Sequence, residues 1–461
     1  MTVTPQELVE HALRTSVSDG CVVLLSTTTS ANLRWANNTL TTNGVIHHAS
    51  VTVVATRGAG TGAAAGVVSG SGGSFEQITT LVEAADTAAA NAGPAEDAHP
   101  LVEGDAAADW SAPPGTTDVT VFDTFAPALG EAFGRARDEK RVLYGYVEHD
   151  VTTTYLGSST GLRMRHEQPT GHVGITGKSG DLARSAWVGQ ATRDFADVDA
   201  LALDAELSRR LKWATRTVDL PAGRYETLLP PTAVADLMVY MYWSSSARNA
   251  LDGRSVFSRP GGGTRVGESM SSRDVRLFSD PALAGLECSP FVVAPQSTAE
   301  LSVFDNGLPA SATDWVRQGE LTSLLQTRHS AELTSLPNTP AIDNLALSDA
   351  GGAGSIDDMV AGTEQGLLLT CLWYIREVDP QTLLLTGLTR DGVYLVENGE
   401  VTGAVNNFRF NESPVDLLRR FSHASGTAPS FSREWGDEFS RTATPALRVP
   451  DFNMSSVSQA Q

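Results

Sequence analysis

The spacing of apolar residues changes within residues 223–250 and predicts a short strand that leads into a helix. Tyr225–Leu229 is an apolar run, and Pro230-Pro231 ends it because proline has no N–H to give to a sheet ladder. Thr232 can then cap a helix with one apolar face, formed by Val234, Leu237, Met238, Met241 and Tyr242. The junction, residues 228–235, has no His, Cys, Glu or Lys, so it offers nothing to bind a metal or attack a carbonyl.

Residues 1–92 combine helix and strand patterns and predict an N-terminal α+β domain. Thr4–Glu7 has the cap residue, the proline and the capping-box glutamate of a helix start. Residues 57–74 are crowded with Gly and Ala and predict a glycine-rich hairpin; a phosphate-binding loop is the alternative, but the GK[ST] ending is missing. The other predicted elements are strands at Cys21–Ser26, Asn32–Ala36 and Val45–Thr56 and a helix at Phe75–Asn91.

Residues 93–118, rich in Ala, Pro and Asp, predict a linker to a central α+β domain over 119–215. This central domain is expected to have helices at Phe122–Lys140 and Val198–Trp213. Strand-like runs lie between them at Val142–His149, Thr152–Leu156, Leu162–Glu167, His172–Thr176 and Ser185–Gln190.

Residues 222–461 predict a β-rich C-terminal domain that carries the strand-to-helix junction. Asn398-Gly399, between two apolar runs, is a strong signal for a type I′ hairpin. The predicted strands are Leu367–Ile375, Thr382–Thr389, Gly392–Glu397, Glu400–Val405 and Ala446–Phe452, and a short helix is expected at Ser413–Phe421. Because helices do not alternate with parallel strands, the predicted class is α+β, an N-terminal α/β sandwich-like region followed by a large, mostly antiparallel β domain.

The composition of the chain excludes some classes of partner and indicates its cellular compartment. With 33 basic and 54 acidic residues the net charge is −21, which disfavours nucleic acid and anionic membranes as partners. Cys21, Cys288 and Cys371 lie far apart and are predicted to be buried thiols in a reducing compartment. The sequence shows neither a signal-peptide pattern nor an apolar run long enough for a membrane span, so a cytoplasmic location is expected.

His166 and His172 are the candidate metal ligands, because HEQPTGH looks like the zinc motif HExxH. Their spacing of six differs from that motif. It would place them about 240° apart around a helix or roughly 20 Å apart along a strand, too far to share an ion bound at about 2 Å. We therefore predict a polar hairpin turn between strands; a zinc site that includes a distant carboxylate remains the alternative.

Four ordered runs resemble the TldD/PmbA family, described as modulators of DNA gyrase and as cytosolic metalloproteases. The resemblance covers nearly the whole chain and is strongest at Tyr155–Lys178, Ser185–Asp199, Gly387–Ser413 and Thr444–Ser456. It implies a fold shared with metalloproteases and an activity on small, unfolded peptides. Nothing basic in the sequence supports direct DNA contact, so a role in modulating DNA gyrase is not predicted.

The resemblance also implies where a metal site would be. Active subunits of the family carry HExxxH on the helix after a strand, with a distant cysteine, to bind zinc. When that motif is placed by its flanking leucines, the first His falls on Pro230, the Glu on Pro231 and the second His on Ala235, and residues 441–456 contain no Cys. These degenerate positions resemble the PmbA/TldE-type subunit, which implies no zinc in this chain and zinc in a TldD-type partner.

The leading hypothesis is therefore a non-catalytic partner subunit of a heteromeric zinc metalloprotease that matures or degrades peptides. A heterodimer is implied, and a homodimer stays open. Leu367–Ile375 or Thr382–Thr389 could bind an extended peptide by edge pairing. The alternatives are a chain active on its own, through zinc on His166 and His172 or as a metal-independent hydrolase, and a stand-alone peptide-binding protein.

Overall fold

The computed structural model describes residues 3–58 and 60–459; the predicted domain limits at residues 1 and 461 lie outside these ranges. The helices are α1 (Pro5–Thr15), α2 (Phe75–Asn91), α3 (Phe125–Asp138), α4 (Ala200–Trp213), α5 (Pro231–Trp243), α6 (Ala247–Leu251), α7 (Arg328–Thr334), α8 (Ile356–Ala361) and α9 (Pro414–Arg420). The strands of the N-terminal part are β1 (Gly20–Ala36), β2 (Thr39–Arg57), β3 (Ala64–Ser71), β4 (Arg141–Ser158), β5 (Arg163–Ser179) and β6 (Ser185–Thr192).

The strands after residue 215 are β7 (Thr217–Val218), β8 (Gly223–Leu229), β9 (Val275–Ser279), β10 (Thr313–Arg317), β11 (Glu320–Leu321), β12 (Leu345–Asp349), β13 (Gln365–Leu369), β14 (Leu372–Asp379), β15 (Leu384–Thr389), β16 (Val393–Glu397), β17 (Glu400–Val405), β18 (Phe408–Glu412), β19 (His423–Ala424), β20 (Ala428–Ser430), β21 (Thr442–Thr444) and β22 (Leu447–Val457).

The N-terminal strands form one antiparallel sheet in the order β3-β2-β1-β4-β5-β6. The central strands β1 and β4 pair continuously from Val22↔Ser158 to Trp35↔Gly145. The predicted units 1–92 and 119–215 therefore contribute to a single sheet. Several predicted pairs of short strands are also single long strands here: β1 and β4 each run through a stretch that was expected to separate two strands.

All four helices of this region cover one face of the sheet. Side chains alternate between faces along a strand, so odd-numbered residues of β1 and β4 share a face. Cys21, Val23 and Leu25 pack with α1 and α2, and farther along the sheet Leu143 and Val147 pack with α3 and α4. The even-numbered face carries none of the helices α1 to α4; there Val22, Leu24 and Leu156 pack with Phe291 and Phe304 of the C-terminal part.

Residues 93–118 contain no helix or strand, yet the chain is fixed on the sheet there. The side-chain amide of Gln6 donates to the carbonyls of Trp110 and Ala112, and the Tyr155 hydroxyl donates to the same Ala112 carbonyl at 2.9 Å. The Trp110 and Tyr155 rings lie 5.6 Å apart, edge to face. The segment predicted as a linker is thus packed against α1 and the N-terminal sheet.

The C-terminal part has two sheets around α5. One has the order β11-β10-β9-β12-β21-β20; the other runs β14-β15-β18-β22-β8-β13-β16-β17-β7, with β19 beside β22. Most neighbouring strands are antiparallel; β12/β21, β8/β13 and β7/β17 are parallel. Helix α5 packs against β20 and β21 on one side and against β8 and α9 on the other, in a shared apolar core. The predicted α+β class with a β-rich C-terminal domain is confirmed.

Local turn chemistry was predicted well. Asn398 and Gly399 have φ values of 52° and 84°, as a type I′ turn requires, and they join β16 to β17. The glycine-rich run joins β2 and β3 as an antiparallel hairpin, with Ala59 outside the described residues. The three cysteines are buried and free.

Two local predictions were wrong. Thr232 does not cap α5; the cap position is Pro230 and the helix begins at Pro231, which suits proline because the first helical N–H groups need no intrahelical acceptor. The apolar run Leu367–Ile375 is not one strand but breaks after Leu369. Its halves, β13 and β14, lie in different places in the same sheet, and because the residues at the break, Thr370 and Cys371, are buried with their neighbours, the sequence shows no charged break.

Candidate functional site

A cavity of about 780 Å³ lies between the helix-free face of the N-terminal sheet and the C-terminal part. Its floor consists of β4 and β5, and its opposite wall includes the end of α5 and the segment before β21. At one end Leu156 packs with Phe291 in an apolar cluster. At the other end the Phe431 ring stacks on Trp187 and His172.

The floor is polar because two hydroxyl-rich runs pair across the sheet. Residues 26–30, STTTS, lie opposite residues 150–154, DVTTT. Hydroxyl oxygens on the cavity side pair directly, Ser26 with Thr154 at 3.0 Å and Thr28 with Thr152 at 2.8 Å. A sheet face that packed against helices would be apolar, so this hydroxyl ladder marks a face that contacts solvent or a ligand.

The opposite wall combines aromatic rings with one arginine. Tyr242 and Trp243, at the end of α5, line the cavity together with Phe439. Arg441 donates to the Thr170 hydroxyl at 2.9 Å and pairs with the Asp343 carboxylate. This side chain joins the N-terminal sheet to the C-terminal part at the edge of the cavity.

His166 and His172 both lie on the cavity side of β5, but they do not come together. The predicted hairpin turn between them is wrong: they belong to one continuous strand, about 20 Å apart by strand geometry. Pro169 is tolerated there because β6 begins to pair with β5 only at Gly171, so the proline needs no N–H donation on that side.

The two histidines have separate environments. His166 Nε2 is 3.0 Å from Gln168 Oε1, and the ring meets Phe291 edge to face. His172 stacks on Phe431 with ring centroids 5.5 Å apart, and its Nε2 lies 3.9 Å from Asp437. Burial lowers the pKa of both imidazoles, so each is neutral at neutral pH. His166 lines the cavity, and His172 lies beside the cavity residue Asp437.

The positions where the family resemblance places metal ligands lie at the start of α5. Pro230 precedes the helix, the Pro231 carbonyl accepts a hydrogen bond from Thr444 at 2.7 Å, and Ala235 is fully buried. Proline and alanine side chains have no lone pair to donate. Over residues 3–58 and 60–459, no three or more His, Cys, Asp or Glu side chains cluster in a way that could hold a metal ion. The residues present do not fit a zinc site.

Asp236, directly after Ala235, instead fastens a loop onto α5. Its Oδ1 accepts from the Ser432 hydroxyl at 2.6 Å and from the Glu434 N–H at 2.9 Å. Its Oδ2 is buried and without a hydrogen-bond partner in the described part of the chain. Burial, with a smaller contribution from the nearby Glu434 carboxylate, raises the pKa of Asp236 to about 7.

The same loop covers the edge strand that we expected to be free for peptide pairing. The Glu434 carboxylate accepts from the backbone N–H groups of Tyr374 at 3.1 Å and Ile375 at 3.0 Å, both on β14. Strands β13 and β15 lie inside the sheet. The prediction that Thr382–Thr389 offers an open edge is therefore wrong, whereas the second half of Leu367–Ile375 does lie in the edge strand β14, part of which Glu434 occupies.

The C-terminal part also identifies the family. Residues 222–456, just over half of the chain, match the model of the PmbA/TldA metallopeptidase C-terminal domain. The chain belongs to the TldD/PmbA family. This match covers α5 with Pro231 and Ala235, so the resemblance first noted in ordered sequence runs is confirmed.

Solved structures share the fold over almost their whole length. TldE from Thermococcus kodakarensis is 16% identical, with a TM-score of 0.76 over 97% of this chain and 99% of that one. A proposed modulator of DNA gyrase from Thermotoga maritima is 16% identical, with a TM-score of 0.74 over 94% and 95% of the two chains. A second such protein, from Bacteroides thetaiotaomicron, is 14% identical, with a TM-score of 0.74 over 98% of each chain. No curated protein sequence matches the chain.

Sequence reasoning missed most of the cavity. It singled out His166 but none of the residues 26–30, Asp150 or Arg441. The available signal was the pair of hydroxyl-rich runs beside apolar strands, where the predicted strands left residues 27–31 and 150–151 unassigned. No helix in the part of the chain that the structure describes is long and apolar enough to cross a membrane.

Proposed function

We propose that this chain is the non-catalytic subunit of a cytoplasmic, heteromeric zinc metalloprotease of the TldD/TldE type. A TldD-type partner would supply the zinc, and this chain would form part of the wall around a small, unfolded peptide that is matured or degraded. The proposal rests chiefly on Pro230, Pro231 and Ala235, because these side chains cannot bind zinc or take a proton from water.

Two further observations support the proposal. The chain belongs to a metallopeptidase-related family, and a protein named TldE has the same fold. The cavity lies on the side of the N-terminal sheet opposite α1 to α4 and is large enough for part of a peptide. We assign no step of peptide hydrolysis to any residue of this chain. The chain is expected to bind and orient the substrate.

The decisive experiment measures zinc and peptide cleavage for the purified chain, for a TldD-type partner and for their mixture. We expect no stoichiometric zinc and no cleavage for this chain alone. In the mixture we expect a stable complex on size-exclusion chromatography and cleavage above that of the partner alone. His166→Ala and His172→Ala should leave the zinc content of the complex unchanged.

Two outcomes would contradict the proposal. Stoichiometric zinc in the lone chain, lost in His166→Ala or His172→Ala, would make this chain a metalloenzyme in its own right. Peptide binding without any complex with the partner would make it a stand-alone binding protein.

A further inference from the structure

The cavity carries an excess of negative charge. Five carboxylates line it, and its single arginine, Arg441, is already paired with one of them, Asp343. Across the described residues, no lysine or arginine nitrogen lies within 4.0 Å of the four others, which are Asp150, Glu300, Asp437 and Glu438. Unbalanced charge of one sign inside a cleft favours a ligand of the opposite sign.

Asp150 is the group among them that lies on the N-terminal sheet. It stands on β4 beside the hydroxyl ladder, and its Oδ1 is buried without a hydrogen-bond partner among the described residues. Burial raises the pKa of this carboxyl group. A half-buried carboxylate that pairs with no Lys or Arg side chain of the described residues is costly, and a cation bound beside it in the cavity would remove most of that cost.

The surroundings of Asp150 suit a peptide rather than a bare ion. Thr152, Thr154 and Gln168 offer hydroxyl and amide groups that can bond to a peptide backbone. The rings of Trp243 and Phe439 can pack on the alkyl part of a long basic side chain and interact with its charge. A volume of about 780 Å³ holds more than one residue.

We infer that the cavity binds a positively charged segment of an extended peptide, whose ammonium or guanidinium group pairs with Asp150. Asp437 and Glu438 are exposed and attract the same segment as it enters. The inference rests on the proposed function only in taking the ligand to be a peptide. It adds the chemical class of that peptide and the residue that selects it.

Fluorescence anisotropy with the purified chain alone tests this inference. The probes are short peptides labelled at the carboxyl end: one with a central Lys and an acetylated amino end, and matched peptides with Gln or Glu in place of the Lys. A further Gln peptide keeps its free amino end. We expect the Lys peptide to bind about tenfold more tightly than the acetylated Gln peptide. The difference should shrink as salt is added.

The Gln peptide with a free amino end distinguishes two sources of the positive charge, a basic side chain and the amino end of a peptide. If the free amino end restores binding to the level of the Lys peptide, the cation is a peptide terminus; if it does not, the cation is a basic side chain. Either result fits the inference. Equal affinity for the Lys, Gln and Glu peptides, or tighter binding of the Glu peptide, would overturn it.

Variants of the chain test whether Asp150 is the residue that contacts the basic group of the peptide. Asp150→Asn should reduce the affinity for the Lys peptide about tenfold and leave that for the acetylated Gln peptide unchanged. The control is Asp138→Asn, an exposed residue at the end of α3 on the helix-covered side of the sheet, which should change neither. Unchanged Lys-peptide binding by a folded Asp150→Asn chain would overturn the assignment of Asp150. If that variant does not fold, the comparison of peptides on the wild-type chain still decides the charge preference.

The peptide-binding experiment and the zinc experiment test the two proposals independently. The binding assay contains neither zinc nor partner, so loss of the charge preference leaves the partner-subunit proposal intact. Conversely, zinc in the lone chain would overturn that proposal without changing which peptide the cavity prefers.

Discussion

At the scale of single residues, Asp236 shows how α5 differs from a helix that presents metal ligands. The carboxyl group follows Ala235, is almost fully buried and holds the loop around Ser432 and Glu434 against the helix. Its pKa is raised from 3.8 to about 7, mainly because burial disfavours the charged form. The stability of the protein should therefore depend on the ionisation of this group.

We predict that Asp236→Asn gains stability relative to the wild type as the pH rises. The folded state binds the Asp236 proton more tightly than the unfolded state does, so this stabilisation is complete below about pH 4 and is lost as the pH approaches 7. Each pH unit in that window lowers the wild-type free energy of unfolding by up to about 1.4 kcal/mol. Asparagine keeps the Oδ1 acceptor and has no proton to lose.

Urea unfolding of both proteins across this pH range measures the effect. The difference in unfolding free energy between variant and wild type should move in favour of Asp236→Asn from acid to neutral pH. A constant difference would show that the carboxyl group does not titrate in this window. Asp138→Asn, exposed on α3, serves as the control with no expected trend.

At the scale of secondary-structure elements, the edge strand β14 is protected by a side chain. Glu434 accepts from two backbone N–H groups of β14 and lies near Arg376 at 3.5 Å. An uncovered strand edge invites pairing with another chain. Protection by one carboxylate is a local arrangement that a single substitution can remove.

Glu434→Ala should destabilise the protein by about 1–3 kcal/mol, because it removes charge-assisted hydrogen bonds, and should promote self-association through β14. Thermal unfolding and light scattering over a range of protein concentrations measure the two effects. Glu438→Ala changes an exposed carboxylate in the same loop and should do neither. A Glu434→Ala chain that stays monomeric at high concentration would show that the loop backbone, rather than its carboxylate, covers the edge.

Elements with a local cause were predictable from the sequence. The capping box at Thr4 and the Asn398-Gly399 turn depend on neighbouring residues only. The long strands were not predictable, because polar residues interrupt their apolar pattern at residues 26–30 and 150–151. Among them Ser26, Thr28, Ser30 and Asp150 lie on the cavity side of the sheet, so the pattern of a buried strand fails where the candidate site lies.

At the scale of the whole molecule, one arginine links the N-terminal sheet to the edge of a C-terminal sheet. The Arg433 guanidinium lies over the rings of Trp187 on β6 and Trp373 on β14, at 5.0 Å and 4.3 Å. It also pairs with Asp391 at 3.3 Å. Such a sandwiched, mostly buried cation contributes more than an exposed one.

Arg433→Gln should lower the free energy of unfolding by about 1–3 kcal/mol and weaken the contact between the two parts. Thermal unfolding followed by tryptophan fluorescence should show a lower midpoint. Arg390→Gln, whose guanidinium contacts only the Trp373 ring of these two and is more exposed, should have the smaller effect. Equal effects of both variants would contradict the linking role of Arg433.

The cavity itself could not be predicted from the sequence, because the residues that line it are far apart along the chain. Asp150, Phe291 and Arg441 meet only when β4, a loop of the C-terminal part and the segment before β21 are brought together. No spacing rule connects residues so far apart. The strand-to-helix junction could be placed, because its prolines and apolar face are contiguous.

The burial of Ala235 would make a metal site difficult to build at the start of α5. A histidine at this position would have to displace close-packed neighbours on α5 before it could bind anything, since Ala235 has no exposed surface. Two further changes, at Pro230 and Pro231, would be needed before any gain in chemistry offset that loss of stability. Under the proposed function, a chain of this kind would regain a metal site only through several simultaneous changes, which is the physical reason that we expect it to depend on a zinc-bearing partner.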